Sequence, residues 1–506
     1  MILLNLDRTN KVPLFHQVFA QLKLLIEANT LKPGFRMPPT RELAKNHGVN
    51  RSTVYKAYEE LTALGYLESR PGSYSTVRKR HKIATEDQRA KKGLIPWAKN
   101  SSEEGRTLHN AFERFKSRLP ENINPSNLVN LASLELDTRN FPVEAFRRCI
   151  NTVMVEKGGQ LLTYGDCAGY KPLREYIAQR LRFHGISVNY DEILITNGSQ
   201  NAIELVLKLL TVPNKNIAVE MPTYSNVIPL LNYFKANIVG IPMNETGMDL
   251  DHLEKVLQNQ DVSFIYTMPN FHNPTGITTD QTHREKLLGL CETYRVPLVE
   301  DAFEEEMKYF GKVPLPIKSM DRLHMVIYLG TFSKVLFPGI RIGWVAAEKE
   351  FIERVTAIKK FSDLSTNSLI QAALHEFCEQ GYYTLHIKRM HREYRKRMNT
   401  VIGMLREKLS RFQHVSWTEP AGGYLLWLQL RNTGKNEKQL TDLFYHYGLI
   451  LIPGSHFFPP RPEQAQTHQF RLSISTCSEP EIREGITRLA NALSDIYCEK
   501  GENHAA

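Results

Sequence analysis

The chain has 506 residues, 42% hydrophobic and 23% charged, too long for one compact core and typical of a globular protein of two or three domains. Six scattered cysteines with no C-x-x-C pair argue against a zinc site or a disulfide framework and suit a reducing, cytoplasmic setting. No run approaches the ~20 apolar residues of a membrane span, so no membrane partner is expected.

The net charge of +10 is unevenly placed. Residues 1–100 carry 18 Lys+Arg against 8 Asp+Glu, whereas the remaining 406 residues hold 46 of each. A basic head on a neutral body points to a polyanionic partner for the head alone.

In the head, Leu14, Val18, Leu22, Leu25 and Ile26 recur at helical spacing and predict a helix over roughly 14–29. Pro33-Gly34 ends it and Pro38-Pro39 restarts the chain. Thr40 is then expected to cap a helix over 41–46, because its hydroxyl can accept a first-turn N–H. Gly48 allows a tight turn, and Asn50 is expected to cap a third helix over 51–64, with Val54, Ala57, Leu61 and Leu64 as its apolar stripe. Helix, short glycine turn, helix is the helix-turn-helix pattern, whose second helix lays its N-terminal residues in the major groove. Those residues are Asn50, Arg51, Ser52 and Thr53, all able to donate hydrogen bonds. Residues 65–77 read as two short strands about a turn, a wing. Residues 1–77 are thus expected to be a winged helix-turn-helix domain whose partner is double-stranded DNA.

Residues 78–125 open with Arg78-Lys79-Arg80-His81-Lys82 and have few large apolar residues. They predict a flexible basic linker, with small apolar islands at 94–97 and at Phe112 and Phe115 that could dock on a domain.

From 126 to 500, apolar β-branched runs at 217–219, 262–268, 297–299, 325–329 and 344–346 alternate with helical stretches. That rhythm predicts an α/β domain with a mixed, mostly parallel sheet. Residues with chemistry fall just after these runs: Tyr224, Asn273, Asp301 and Lys334. Open α/β sheets bind ligands at the carboxyl ends of their strands, so these residues can converge. Thr331, Ser333, Lys334 and Arg341 suit a phosphate-bearing aldehyde held on the lysine as a Schiff base. Ser199 and Gln200, after Gly198 and before a helical run, offer N–H groups to the same phosphate. Asp301 would face a pyridine nitrogen, Asn273 would donate its amide to a phenolic oxygen, and Tyr224 would stack on the ring.

Two resemblances add to this reading. Met37-Pro-Pro-Thr-Arg-Glu-Leu-Ala, Val49-Asn-Arg-Ser-Thr-Val and Gly65-Tyr-Leu resemble the GntR-type winged helix-turn-helix. That resemblance implies DNA contacts by Arg41, Arg51 and Thr53, with Gly72 at the wing tip; Tyr74 stands where a second wing glycine is usual. The body resembles fold-type I pyridoxal-phosphate enzymes of the class I/II aminotransferase group. The residues that carry it are Tyr164-Gly-Asp, Asn197-Gly-Ser-Gln, Asn273-Pro-Thr-Gly, Asp301-Ala-Phe, Ser333-Lys334, Arg341, Gly422-Gly423 and Phe470-Arg471-Leu472. The implied cofactor is pyridoxal 5'-phosphate, with Arg471 clamping a carboxylate and Tyr164 reaching the phosphate of a partner subunit, hence a homodimer with shared sites. Phe303, Cys167 and Phe146 depart from the tyrosine, proline and tryptophan common at those positions.

Head and body together resemble the MocR/GabR-type bacterial regulators. The implied function is a regulator that senses an amino acid or related amino compound, or the cofactor itself. A working aminotransferase that carries a DNA-binding head is the alternative.

Overall fold

In the computed structural model, residues 2–69, 74–79, 95–116, 127–311, 314–459 and 467–497 are described. The chain forms two compact units, residues 1–100 and 101–506.

The first unit contains helices α1 (Leu14–Glu27), α2 (Thr40–His47) and α3 (Arg51–Ala63), and an antiparallel pair of β1 (Leu67–Glu68) and β2 (Thr76–Val77). Val18, Leu22, Leu43, Val54, Ala57 and Leu61 are buried in one small core, which is the apolar periodicity at work. Gly48 ends α2 in the left-handed conformation (φ 62°), and the Asn50 side chain caps α3 by accepting from Ser52 N–H. The expected cap at Thr40 is corrected. Pro39, extended at φ −54° and ψ 140°, occupies the cap position, so Thr40 becomes the first helical residue and makes no capping bond.

The second unit contains fourteen strands among the described residues, from β3 (Val129–Asn130) to β16 (Thr467–Ser473). Its main sheet contains β4 (Ile193–Thr196), β5 (Asn216–Met221), β6 (Asn237–Asn244), β7 (Gly247–Met248), β8 (Val262–Thr267), β9 (Leu298–Asp301), β10 (Val326–Thr331) and β11 (Gly343–Ala346). The strand order is β4-β11-β10-β9-β8-β5-β6-β7. The stretch from β10 through β9, β8 and β5 to β6 is parallel, whereas β11 runs antiparallel to both of its neighbours and β7 antiparallel to β6. Helices pack on both faces, so β4, β5 and β8 to β11 are buried on both sides and read as apolar runs, whereas β6 is partly exposed.

A smaller sheet is antiparallel, with β12 (Val415–Trp417), β13 (Leu425–Arg431), β16 and β15 (Ile452–Pro453) in that order. It shares a core with the long helix Tyr382–Leu409 and the helix Glu479–Tyr497. The remaining strand, β14 (Leu449–Ile450), pairs in parallel with β3.

Within the stretch expected as a flexible linker, Glu103–Phe115 forms a helix capped by Ser102, whose Oγ accepts from Gly105 N–H. It packs against the helix Val227–Tyr233, with Glu104 paired to Lys235 at 2.7 Å. An amphipathic helix that borrows a partner's apolar face leaves little trace in a polar stretch.

Candidate cofactor and DNA sites

The carboxyl ends of β10, β9, β8 and β5 lie side by side, with that of β4 one strand further across β11, and they deliver the body's candidate residues. Lys334 follows β10 and is half-buried, and its Nζ donates to Leu134 O at 3.2 Å. Burial pushes its ammonium below the usual lysine range; Glu304 opposes that shift, while Arg471 and Arg341 add to it. Ser333 and Thr331 are buried just before it. Thr331 Oγ donates to Ile342 O and accepts from Ser333 N–H, while Ser333 Oγ has no hydrogen-bond partner.

Arg341 sits at φ 53° between β10 and β11, and its Nη2 donates to Asn197 O at 3.1 Å. The guanidinium covers Gly198, where a Cβ would fall 2.4 Å from Nη2, so only glycine fits at that φ of +84°. Gly198 caps the helix Ser199–Leu210, whose first N–H groups lack intrahelical partners and suit an anion. Ser199 and Gln200 form its first turn. Gln200 Oε1 accepts from the Tyr224 hydroxyl at 3.0 Å, which fixes that ring on the adjacent loop.

Asp301 ends β9. Tyr266 on β8 donates its hydroxyl to Asp301 Oδ2 at 2.6 Å, and Oδ1 has no hydrogen-bond partner. Burial raises its pKa to about 6, and the Tyr266 hydrogen bond opposes the shift. Arg471 on β16 donates through Nη1 to Asn273 Oδ1 at 3.1 Å and through Nη2 to Ala132 O at 3.0 Å, and it lies over the Phe457 ring at 5.1 Å. Its Nε has no hydrogen-bond partner, and burial lowers its pKa to about 10. With Oδ1 held by Arg471, the amide N–H₂ of Asn273 remains as a donor.

The chain thus brings Lys334, Asp301, Asn273, Tyr224, Arg341 and Arg471 together at one end of the sheet, with two qualifications. Phe303 is buried without a hydroxyl. Tyr164 is 86% exposed and takes no part in its own chain's site. Three participants escaped sequence reading: Tyr266, hidden in an apolar strand; Glu304, within a run of three glutamates that resembles a solvated face; and Tyr424, next to Gly423.

In the head, Arg41, Asn50 and Arg51 are exposed around the starts of α2 and α3, and Thr53 is half-buried. Gly72 lies outside the described residues. Among the described residues no group of acidic, histidine or cysteine side chains could hold a metal, and no helix is long and apolar enough to cross a membrane.

Residues 126–489 match the family of class I and II aminotransferases, and residues 14–77 match the gntR family of bacterial regulatory proteins. The HTH-type transcriptional regulator YdfD of Bacillus subtilis is 27% identical, over 97% of this chain and 98% of that one. The probable rhizopine catabolism regulatory protein MocR of Rhizobium meliloti is 26% identical, over 88% of this chain and 90% of that one. Aromatic-amino-acid aminotransferase 1 of Thermococcus litoralis is 35% identical, over 74% of this chain and 89% of that one. Among solved structures, a multiple substrate aminotransferase from Thermococcus profundus superposes with a TM-score of 0.72 at 31% identity, covering 80% of this chain and all of that one. The body therefore has the fold-type I aminotransferase architecture, a fold that typically binds pyridoxal 5'-phosphate. Joined to its gntR-type head and aligned nearly end to end with such proteins, it makes the chain a member of the MocR-type HTH regulators.

Proposed function

We propose that the protein is a DNA-binding transcription regulator that uses pyridoxal 5'-phosphate to sense an amino acid or related amine, and that it works as a homodimer. One observation carries this reading: the body's site keeps polar atoms unspent where that cofactor and a carboxylate would sit. Ser333 Oγ, Asp301 Oδ1 and Arg471 Nε are all buried without hydrogen-bond partners. Burying such atoms unpaired costs about 1–3 kcal/mol each, a cost a ligand would relieve.

When bound, the cofactor supplies an electrophilic carbon for amines and an electron-withdrawing ring. Lys334 would hold it covalently. Ser333, Thr331, Arg341 and the N–H groups at Ser199 and Gln200 would hold its phosphate. Asp301 would keep the ring nitrogen protonated, Asn273 would donate to the phenolic oxygen, and Tyr224 would cover the ring face. Arg471 would take the carboxylate of an amino acid effector, a task suited to its planar fork. In the homodimer the exposed Tyr164 would serve the partner's site. The head's Arg41, Asn50, Arg51 and Thr53, with Gly72, would meet DNA, and differential contacts in the two ligand states would shift the heads.

The completeness of Lys334, Asp301 and Arg471 favours a second reading, a working aminotransferase with a DNA-binding head. One experiment separates them: absorption spectra of wild type and Lys334→Ala with the cofactor, followed by titration with amino acids and an assay for keto acid. An amine that shifts a lysine-dependent visible band without sustained keto-acid production supports the regulator. Sustained turnover supports the enzyme, and no lysine-dependent band sinks both.

A further inference from the structure

Asn273 belongs to a tight loop that closes on the residue before it. His272 N–H donates to Ile277 O at 2.8 Å, and Gly276 N–H donates to His272 O at 2.6 Å. The ring Nδ1 of His272 lies 2.8 Å from Thr275 Oγ. The loop therefore turns on His272, through its backbone and through one side of its ring. Its other flank meets the smaller sheet. Thr418 donates its hydroxyl to Thr275 O at 2.7 Å, and a Cβ at Gly276 would fall 2.5 Å from Leu425 O.

The second ring nitrogen of His272, Nε2, lies 3.3 Å from Glu220 Oε2, and both side chains are buried. Glu220 is the penultimate residue of β5, four residues before Tyr224. The pairing of β5 with β8 ends at Val219 and Tyr266, and from there the Glu220 carboxylate takes over. Its Oε1 accepts from Thr267 Oγ at 2.7 Å, and its Oε2 accepts from Met268 N–H at 2.9 Å. Burial opposes its ionisation, but His272, Thr267 and the Met268 N–H outweigh burial and hold the carboxyl below its usual range. A carboxylate this deep is retained only where such partners surround it. Here they join three segments: the end of β5, the end of β8 and the loop that carries Asn273.

We propose that Glu220 and His272 are positioning residues for Asn273, a buried pair that braces its loop against β5 and β8 and keeps its amide aimed into the site. One planar peptide separates His272 from Asn273, so a displacement of the first is passed to the second. A ligand-holding group must stay within about 0.5 Å of its working position, which a loop alone secures poorly. Arg471 fixes the Oδ1 side of the Asn273 amide, and the pair fixes the backbone from which that amide projects. The inference rests on the reading of Asn273 as the donor to the cofactor's phenolic oxygen.

The test uses full-length protein loaded with pyridoxal 5'-phosphate, whose lysine-dependent visible band is titrated with pH. A donor to the phenolic oxygen favours its unprotonated, anionic form and so lowers the midpoint of that titration. His272→Asn keeps an amide near Thr275 but is too short to reach Glu220. Glu220→Asp withdraws the carboxylate by one methylene without removing its charge. Each should raise the midpoint by about one unit. His272→Gln, long enough to bring its amide to Glu220, should follow wild type. In an Asn273→Ala background, itself raised, none of the three should move the midpoint further. Unmoved midpoints in both His272→Asn and Glu220→Asp, or shifts that persist undiminished in the Asn273→Ala background, overturn the proposal. Hydrogen exchange of the peptide 271–278 in cofactor-free protein is the second readout, faster in His272→Asn and Glu220→Asp and unchanged in His272→Gln. Were wild type to form no lysine-dependent band, the cofactor reading would fail and exchange alone would decide: equal rates in every variant overturn the bracing.

Discussion

Asp301→Asn isolates the energetics of a carboxylate buried with one oxygen bound. Oδ2 accepts the Tyr266 hydroxyl and Oδ1 has no hydrogen-bond partner, and burial raises the pKa from 3.8 to about 6. A folded value above the unfolded one means that the native state binds the proton more tightly. The associated stability is fully present below the unfolded pKa and is lost as pH rises through about 6. Asparagine keeps a carbonyl oxygen for Tyr266 and never ionises. By linkage, ionised Asp301 costs the cofactor-free wild type roughly 1.5 kcal/mol at about pH 5 and about 3 kcal/mol at about pH 8. Urea unfolding of both cofactor-free proteins should therefore show the variant gaining about 1–1.5 kcal/mol on wild type across that interval. With cofactor present the ranking should reverse, because asparagine cannot hold a protonated ring nitrogen. Stability differences that stay constant from about pH 5 to about pH 8 would refute the burial argument.

Two other substitutions probe the phosphate cradle and the head. A Cβ at Gly343 would lie 2.8 Å from Gly198 C and 2.9 Å from Gly330 O and Ser199 N, all backbone atoms that cannot swing aside. Overpacking of about 1–3 kcal/mol placed on that loop should raise the cofactor dissociation constant of Gly343→Ala by about 5- to 150-fold in a spectral titration. A change within about twofold would refute that placement of the cradle. Arg51→Ala should weaken binding to a duplex selected from random sequence by about 1–3 kcal/mol and leave the body's melting transition in place. Unchanged affinity would remove Arg51 from the DNA face.

Strand-end chemistry was legible because each strand is buried on both faces, so Lys334, Asp301 and Asn273 follow unmistakable apolar runs. The flanking strands β4 and β6 were harder to read. β4 is short, at Ile193–Thr196, and β6 is polar in part, ending in Pro242-Met243-Asn244. Tyr266 is indistinguishable from core in a strand buried on both faces, because its polar tip acquires a meaning only when Asp301 arrives from the neighbouring strand. Glu304-Glu305-Glu306 defeats composition reasoning outright. Glu304 and Glu305 are buried, and half-buried Glu306 is paired with Arg180 at 2.6 Å. Thr40 shows the local limit, since one proline's fixed torsion moved the cap by one residue.

Arg471 and Lys334 each hold a carbonyl of one short stretch, Ala132 and Leu134. The same stretch is tied down by Ser473 N–H to Leu131 O and by Ser475 Oγ to Ser133 O. A carboxylate seated on Arg471, or a covalent bond to Lys334, competes with one of these carbonyls, so occupancy is an exchange of partners as well as a gain of contacts. Ligand affinity then reports the difference between a charge-assisted bond formed and a charge-assisted bond to a neutral carbonyl surrendered. Equilibrium makes the relation mutual: whatever ligand binding does to the tether on residues 131–134, loosening that tether does in return to the readiness of both side chains.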